Sequence, residues 1–453
     1  MLLFNAACLD SIDSGKRRSI TPVLFFLSAV VTSAAPLVTW LFLPLIVIAL
    51  TLPALRRTGD WRRLIQPNLA LIAFLLVALY IFLNATWAAD PGAAARTAAL
   101  FLTLVVITFA ANGAVDQLDE HQLRRAALAF AAGAFLGALF VLFEVLTHSA
   151  ATRLAMNSIA LLRPEQTTRH FVVSQGKVTW IRPSDLKHNA AILTFNLWPG
   201  LLVLRTIASG TRRALLMGLF FVAVAACVVL TQHRSSIVAL CVSPLVFFLA
   251  WNWGRPVIRA LAGLYCLAFV LVMPINFLAY NSDLQLANWL PSSFRARVII
   301  WEYTAERVLD HPWLGIGAAS TPAVREPVAL AEKPEGYAYP RNTGRHAHDL
   351  FLQTWYELGA VGAILIALAG AVVAFRISLL PIETQPFAAA SFAVFMSIAA
   401  FAWGIWQTWL MCAVGLSVLY LRTASSAAHA VRSDAANSDS VEARASGPLL
   451  QHR

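Results

Sequence analysis

The sequence has little charge, few cysteines and none of the common nucleotide-binding or hydrolase motifs. Only 13% of its 453 residues are Asp, Glu, Lys or Arg, whereas about a quarter is usual for a soluble domain. Its five cysteines show no CxxC or Cys/His spacing, so neither a disulfide framework nor a zinc site is supported. Walker A, GxGxxG and GxSxG patterns are also missing. This composition excludes a soluble enzyme and a disulfide-stapled secreted module.

Long apolar runs make up much of the chain. Hydrophobic residues account for 59% of the sequence, and the mean hydropathy is +0.69. The runs are continuously apolar and do not alternate with period two, which favours transmembrane helices of about 20 residues over a β-barrel. We therefore predict an all-α polytopic membrane protein of about twelve transmembrane helices, with further helices in its outer loops. The predicted spans are 20–34, 36–54, 67–87, 94–115, 124–147, 188–208, 213–231, 234–251, 257–279, 350–375, 384–402 and 405–422.

Basic residues predict the orientation of these spans. With residues 1–19 in the cytoplasm, Lys and Arg are frequent at the cytoplasmic ends of the spans, whereas the short outer connections carry only Arg96 and Arg234, as in the positive-inside pattern. No convincing cleavage site follows the basic start, so we expect the first span to stay uncleaved. The transmembrane domain then covers 20–422, both termini are cytoplasmic, and the Ala- and Ser-rich tail 423–453 is expected to be disordered. This topology accounts for the net charge of +11, and nucleic-acid binding is not indicated.

Two long loops, 148–187 and 280–349, are predicted on the outer, periplasmic face. The second contains a predicted helix between a Pro-Ser-Ser start and a His-Pro stop. Arg297 and Trp301 are one turn apart on this helix and share a face. Loops longer than about 15 residues are usually functional or disordered, and the many Trp, Tyr and Leu residues favour order here.

Arg234 is the first candidate functional residue. It lies in the segment Leu230–Ser236, where two apolar runs nearly meet on the outer side. An arginine so close to hydrocarbon is energetically costly and suggests a functional site. The alternative is an interfacial side chain that extends its charged end to water. The functional interpretation is a guanidinium that binds phosphate oxygens in bidentate fashion.

A histidine-rich segment precedes the tenth span and contains Arg345, His346, His348 and Asp349. His346 and His348 would be about 200° apart on a helix, so they cannot both face one point if both are helical. If a helix begins near His348, Asp349 lies in its first turn, and the helix dipole keeps the His348 imidazole neutral and available as a base. Interfacial or helix-capping roles are the structural alternatives. A metal site is a further alternative, but it lacks an evident additional ligand.

Arg182 and Lys187 mark a third polar stretch, Arg182–Asn189, at the outer mouth of a span. Ordinary loop polarity would also explain these cations. The segment Gly315-Ile316-Gly317 is too short for a phosphate-binding loop, and we predict a tight turn there.

The order of these segments resembles that in the O-antigen ligase and polymerase superfamily of bacterial inner-membrane proteins, most closely the lipopolysaccharide O-antigen ligase branch. Asp349 stands where this family commonly has Asn. The motifs cover about 230–362, and their joint order is the specific feature. They are the Arg-Ser pair at Arg234, Arg297–Glu302, His311–Gly317, His346–Gln353 and Glu357–Gly362.

The resemblance implies an inverting, metal-independent glycosyltransferase of the integral-membrane, GT-C-like type that needs no cofactor. It would reside among the lipids of a Gram-negative inner membrane, with its active site on the periplasmic face. The donor would be a polysaccharide on undecaprenyl pyrophosphate, and the acceptor in the ligase branch would be lipid A–core.

The chemistry of the candidate residues is compatible with this reaction. Departing pyrophosphate needs cations more than a general acid, and preorganised arginines stabilise developing charge best in a water-poor site. We hypothesise that His348 removes the proton of the acceptor hydroxyl as general base, with His346 as the weaker candidate. Arg234, helped by Arg182 and Lys187, would bind the pyrophosphate. The other candidates for substrate binding are Arg297, Trp301, Glu302 and Arg345.

Several alternatives stay open at this point. An O-antigen polymerase and a protein O-oligosaccharyltransferase of the same superfamily could use the same donor site and base. A transporter or flippase would need charges near the membrane midplane. Glu144 and Arg205 are expected near span ends instead, which argues against that class.

Overall fold

The computed structural model describes residues 20–159, 166–168, 170–327 and 329–445, and nearly all of the regular secondary structure in this part of the chain is helical. Nine of its helices are long and apolar enough to cross a membrane. Three shorter apolar helices coincide with the remaining predicted spans. The prediction of an all-α polytopic membrane protein is therefore confirmed.

Each predicted span coincides with one helix, and further elements lie in the two long loops. Helix α6, the strands β1 and β2, and the helices α11 and α12 belong to those loops. In chain order the elements are α1 (Thr21–Ala34), α2 (Thr39–Thr58), α3 (Leu69–Asn84), α4 (Pro91–Val115), α5 (Glu120–Leu146), α6 (Ala150–Ser158), β1 (Phe171–Ser174), β2 (Lys177–Ile181), α7 (Lys187–Ile207), α8 (Gly210–Leu230), α9 (Arg234–Trp253), α10 (Arg255–Asn281), α11 (Ser292–Val308), α12 (Thr321–Val324), α13 (Leu350–Ser378), α14 (Gln385–Phe401) and α15 (Thr408–Ala445).

Small residues allow close helix packing inside the bundle. Helix α1 packs along α5, where a Cβ added to Gly133 would lie 2.5 Å from the carbonyl oxygen of Phe26. Large apolar side chains such as Val222 and Val270 are exposed instead, as expected for a surface that faces lipid. Because lipid tails are as apolar as these side chains, the association of the helices depends on close packing of this kind.

Helix α7 is the buried centre of the larger hydrophobic core. Every residue from Asn189 to Val203 is buried, and α7 packs against α5, α8, α14 and α15. A second core joins α10, α11, α13 and α14. The start of α7 therefore places Lys187 and His188 centrally at one end of the bundle.

The first long loop contains a β-hairpin that the sequence analysis did not predict. Strands β1 and β2 pair antiparallel, with Phe171 opposite Ile181 and a turn at Gln175-Gly176. Glu144, at the end of α5, is buried, and its carboxylate accepts hydrogen bonds from the backbone N–H groups of Ala151 (2.8 Å) and Thr152 (3.1 Å). It thus satisfies the N-terminus of α6.

The last helix extends beyond the predicted start of a disordered tail at residue 423. Ala424 and Ala427 are buried in the larger core as part of α15. The boundary at 422 is thus corrected, because alanine favours helix and its small side chain packs closely even where the mean hydropathy falls. Residues 1–19, predicted as a cytoplasmic N-terminus, and 446–453 lie outside the described residues.

Candidate functional site

Several helix ends and loops meet at one end of the bundle. They are the starts of α7 and α9, the loop helix α11, the segment 344–349 before α13, and the junction 402–407 between α14 and α15. Contacts among these segments place together many of the residues singled out from the sequence, together with several that were missed.

The segment with His346 and His348 is irregular and not helical. His348 has a φ of +57°, and Gly344 has a φ of +66°. The ring centroids of the two histidines lie 4.0 Å apart, with an interplanar angle of 61°. The argument from helical spacing therefore does not apply, and the two imidazoles are direct neighbours.

Asp349 is the N-cap of α13 rather than a residue of its first turn. Its Oδ1 accepts hydrogen bonds from the N–H groups of Phe351 (2.8 Å) and Leu352 (3.1 Å). Burial raises the pKa of this carboxyl to about 7, against the lowering effect of the two hydrogen bonds. Asp349 thus starts α13 immediately after His348 and anchors the end of the histidine segment.

The tautomer of His348 is set by a backbone carbonyl. Its Nδ1 lies 2.7 Å from the oxygen of Ala402. Because a carbonyl only accepts hydrogen bonds, Nδ1 carries the proton, and Nε2 keeps its lone pair in the neutral ring. Burial lowers the pKa of His348 to about 4; the bond to Ala402 opposes this effect, and Arg297 and Lys187 add to it. Burial is therefore the main cause that favours the neutral imidazole, whereas the sequence analysis expected the helix dipole to do so.

His346 is a second neutral imidazole at the same place. Burial lowers its pKa to about 3, and the neighbouring His348, Arg297 and Lys187 act in the same direction. Its Nδ1 is buried and has no hydrogen-bond partner among the described residues. His346 therefore stays a candidate for the base alongside His348.

Helix α11 contributes both support and positive charge. The indole N–H of Trp301 donates to the carbonyl of Ala347 over 2.8 Å, which fixes the peptide between the two histidines. Arg297 lies one turn earlier, and burial together with the charge of Arg234 lowers its pKa. The charge of Arg297 in turn lowers the pKa values of both histidines, so Arg297 connects Arg234 electrostatically to the imidazoles.

The other predicted cations differ in their placement. Lys187, at the start of α7, lowers the pKa values of His346 and His348 and therefore belongs to this cluster. Arg182 and Arg345 are exposed, and neither is among the causes of these histidine shifts. The structure thus brings Lys187 to the histidines and gives no such contact for Arg182 or Arg345.

Glu302 is engaged away from the histidines. Its Oε1 accepts a 2.8 Å hydrogen bond from Arg341, which also binds Glu306 over 2.9 Å. Burial raises the pKa of Glu302 to about 7, while Arg341 lowers it. These contacts connect α11 to the loop before α13, so Glu302 supports that loop.

An aromatic stack beside the histidine pair was missed in the sequence analysis. The Trp403 ring is stacked between His188 and His233, with 4.9 Å between centroids on each side. Trp409 packs edge-on against Trp403 at 4.8 Å. His233 is the N-cap residue of α9, and its Nδ1 lies 2.8 Å from Ser236 Oγ. The sequence did contain a signal for this stack, because tryptophans concentrate at the junction of the last two predicted spans.

These contacts define a site with neutral imidazoles and nearby cations. Such a site can accept a proton at an imidazole nitrogen and can bind an anionic group through guanidinium and ammonium donors. Within the described ranges, no group of three His, Cys, Asp or Glu side chains is arranged to hold a metal ion.

Part of the chain is similar to known proteins. Residues 219–367 match a protein family described as O-antigen ligase. A Rickettsia conorii protein named "Putative polysaccharide ligase" is 23% identical over 241 residues, covering 52% of this chain and 56% of the relative. A Rickettsia felis protein of the same name is 26% identical over 243 residues, covering 52% of this chain and 57% of the relative. The match thus spans little more than half the length of these relatives.

Proposed function

We propose that this membrane protein, whose residues 219–367 match the O-antigen ligase family, is a glycosyltransferase that attaches a lipid-linked polysaccharide to lipid A–core. The donor is a polysaccharide on undecaprenyl pyrophosphate, and transfer takes place at the periplasmic face of the inner membrane. Both relatives are named as polysaccharide ligases, which supports the ligase over the polymerase and the protein-modifying alternatives.

The observation that carries this proposal is the state of His348. Its Nδ1–H is bound to Ala402, and burial together with Arg297 and Lys187 lowers its pKa to about 4, which favours the neutral ring. A neutral imidazole beside fixed cations matches a reaction that removes one proton and releases one polyanion.

In the proposed reaction, Nε2 of His348 takes the proton of the acceptor sugar hydroxyl. The hydroxyl oxygen attacks the anomeric carbon from the side opposite the pyrophosphate, so a new C–O bond forms as the bond to the phosphate oxygen breaks. The bonding pair leaves with undecaprenyl pyrophosphate, and the configuration at the anomeric carbon is inverted. The proton then passes from Nε2 to solvent or to the leaving phosphate.

The cations act on the leaving group. Arg234, Arg297 and Lys187 bind the pyrophosphate oxygens and stabilise the charge that develops as the glycosidic bond breaks. Arg297 is suited to this role because its guanidinium is buried beside the charge of Arg234, an arrangement that an anion would relieve. Trp301 holds the histidine segment in place through Ala347.

Deletion of the gene tests the function, with lipopolysaccharide analysed by gel electrophoresis. Loss of a ligase should leave bare lipid A–core while polysaccharide accumulates on its lipid carrier. Core capped by a single repeat would identify a polymerase instead. Unchanged lipopolysaccharide with missing glycoproteins would identify a protein oligosaccharyltransferase.

A further inference from the structure

A buried carboxylate in α13 accepts hydrogen bonds from several segments around the site. Glu357 is fully buried, and its carboxylate accepts from the N–H of Ala319 (2.9 Å), the hydroxyl of Thr321 (2.5 Å), the side-chain amide of Gln353 (3.2 Å) and the indole N–H of Trp406. Because all of these groups can donate, the acceptor capacity of an ionised carboxylate is well used here.

Two of these hydrogen bonds connect Glu357 to the junction between α14 and α15. The bond from Trp406 does so directly, and the bond from Gln353 does so through the Gln353 side chain. Trp406 is part of that junction. Gln353 donates to Glu357 with its Nε2 and accepts from the N–H of Ile405 with its Oε1 over 3.2 Å. Glu357 and Gln353 therefore fix both Ile405 and Trp406 against α13.

The same junction determines the surroundings of the histidines. Ala402 supplies the carbonyl that binds Nδ1 of His348. Gly404 lies against His346, so closely that an added Cβ would be 3.0 Å from the Cβ of that histidine. Trp403, between them, forms the stack with His188 and His233. A displacement of residues 402–406 would thus reach the candidate base directly.

We infer that Glu357 is a positioning residue: together with Gln353, it holds the α14–α15 junction so that the Ala402 carbonyl keeps the proton of His348 on Nδ1. Glu357 itself lies one layer behind the imidazoles and does not touch the substrate. This inference rests on the proposed role of His348 as the base and adds the element that sets its tautomer.

The substitution Glu357→Gln isolates this effect because it preserves size. In one orientation, the NH₂ group of a glutamine side chain meets the N–H groups of Ala319 and Trp406, which only donate. In the other orientation, the Thr321 hydroxyl can accept from the NH₂ group, but the side-chain NH₂ of Gln353 cannot. The junction therefore loses hydrogen bonds that a carboxylate alone supplies.

Glu144→Gln is a matched control. Glu144 is also a buried carboxylate that accepts from backbone N–H groups, but it supports α6 in the first loop and has no contact with the 402–407 junction. Both variants are prepared as the full chain in detergent, and thermal unfolding shows whether each is folded.

The first readout is the state of His348, followed by NMR of ¹⁵N-histidine-labelled protein and assigned by the signal lost in His348→Ala. In the native protein and in Glu144→Gln, we expect the Nδ1–H tautomer and a pKa near 4. In Glu357→Gln, we expect mixed tautomers and a pKa below the native value, because weakening the bond to Ala402 removes the one interaction that raises the pKa of His348. Lys187, Arg297 and His346 face the ring from α7, α11 and its own segment, and their effects persist in both variants.

The second readout is transfer, measured with donor lipid and lipid A–core extracted from the deletion strain. We expect Glu357→Gln to lower kcat about 100-fold, as a small displacement of a catalytic group can do. A native tautomer, pKa and kcat in this variant would overturn the positioning role, even with His348→Ala inactive. If His348→Ala is itself active, the proposed role of His348 as the base fails instead, whereas the NMR result still decides whether Glu357 sets the tautomer.

Discussion

Gly359 lies directly against the backbone of Trp313. A Cβ added at position 359 would be 2.4 Å from the carbonyl carbon of Trp313, and Gly359 has a φ of +64° and a ψ of −167° inside α13. Around this break, the N–H groups of Ala360 and Val361 bind the carbonyls of Pro312 and Trp313. The break thus joins the large loop to α13 two residues beyond Glu357.

Gly359→Ala should therefore destabilise the protein. The backbone conformation is essentially restricted to glycine, and the added methyl would overlap the 312–314 segment, so we expect a loss of at least about 2 kcal/mol. Gly263→Ala is the control, because Gly263 is helical and has no atom within 4 Å of an added Cβ. Thermal unfolding in detergent measures both; equal midpoints would contradict the prediction.

The sequence predicted the helices well because each span needs a long apolar run, which is a local property. The hairpin β1–β2 was also visible in principle, since β-branched and aromatic residues flank the Gln175-Gly176 turn on both sides. The site was predicted only in part. Arg297, His346 and His348 stood out by residue type and order, but the Ala402 carbonyl and the Trp403 stack depend on contacts between segments distant along the chain.

Irregular backbone in the loops explains why the rest of the site could not be predicted from the sequence. Helical spacing was the only geometry available for judging His346 and His348, and it separated two rings that the structure places 4.0 Å apart. Glu302 shows the same limit. Its partner, Arg341, comes from a long loop whose path no local pattern specifies.

His348→Ala should abolish transfer while the protein stays folded. The substitution removes the proposed base and one hydrogen bond to Ala402, but His348 contributes no cap or ion pair that starts a helix. Activity is followed by restoration of polysaccharide-capped lipopolysaccharide in the deletion strain. His121→Ala, at an exposed position at the start of α5, is the control and should behave like the native protein. Full activity in His348→Ala would favour His346 as the base.

Arg234→Lys should strongly reduce transfer while keeping the positive charge. Lysine lacks the planar fork that binds two phosphate oxygens, so we expect weaker donor binding or slower departure of pyrophosphate, at a cost of about 1.5–3 kcal/mol. Arg259→Lys, at an exposed position in α10, controls for the general effect of this exchange. The restored level of capped lipopolysaccharide is the measurement. A fully active Arg234→Lys protein would support a role as an interfacial anchor instead.

The acid limb of the pH–rate profile should depend on whether the donor is bound. In the free protein, burial lowers the pKa of His348 to about 4, so the imidazole is neutral above that pH and kcat/KM should fall only below about pH 5. Bound pyrophosphate brings negative charge next to the ring, which favours the imidazolium and raises its pKa. The limb in kcat should therefore lie at higher pH than the limb in kcat/KM. Rates measured between pH 4 and 8 with extracted donor and acceptor check this order, and coincident limbs near pH 6.5 would contradict a buried base beside the pyrophosphate.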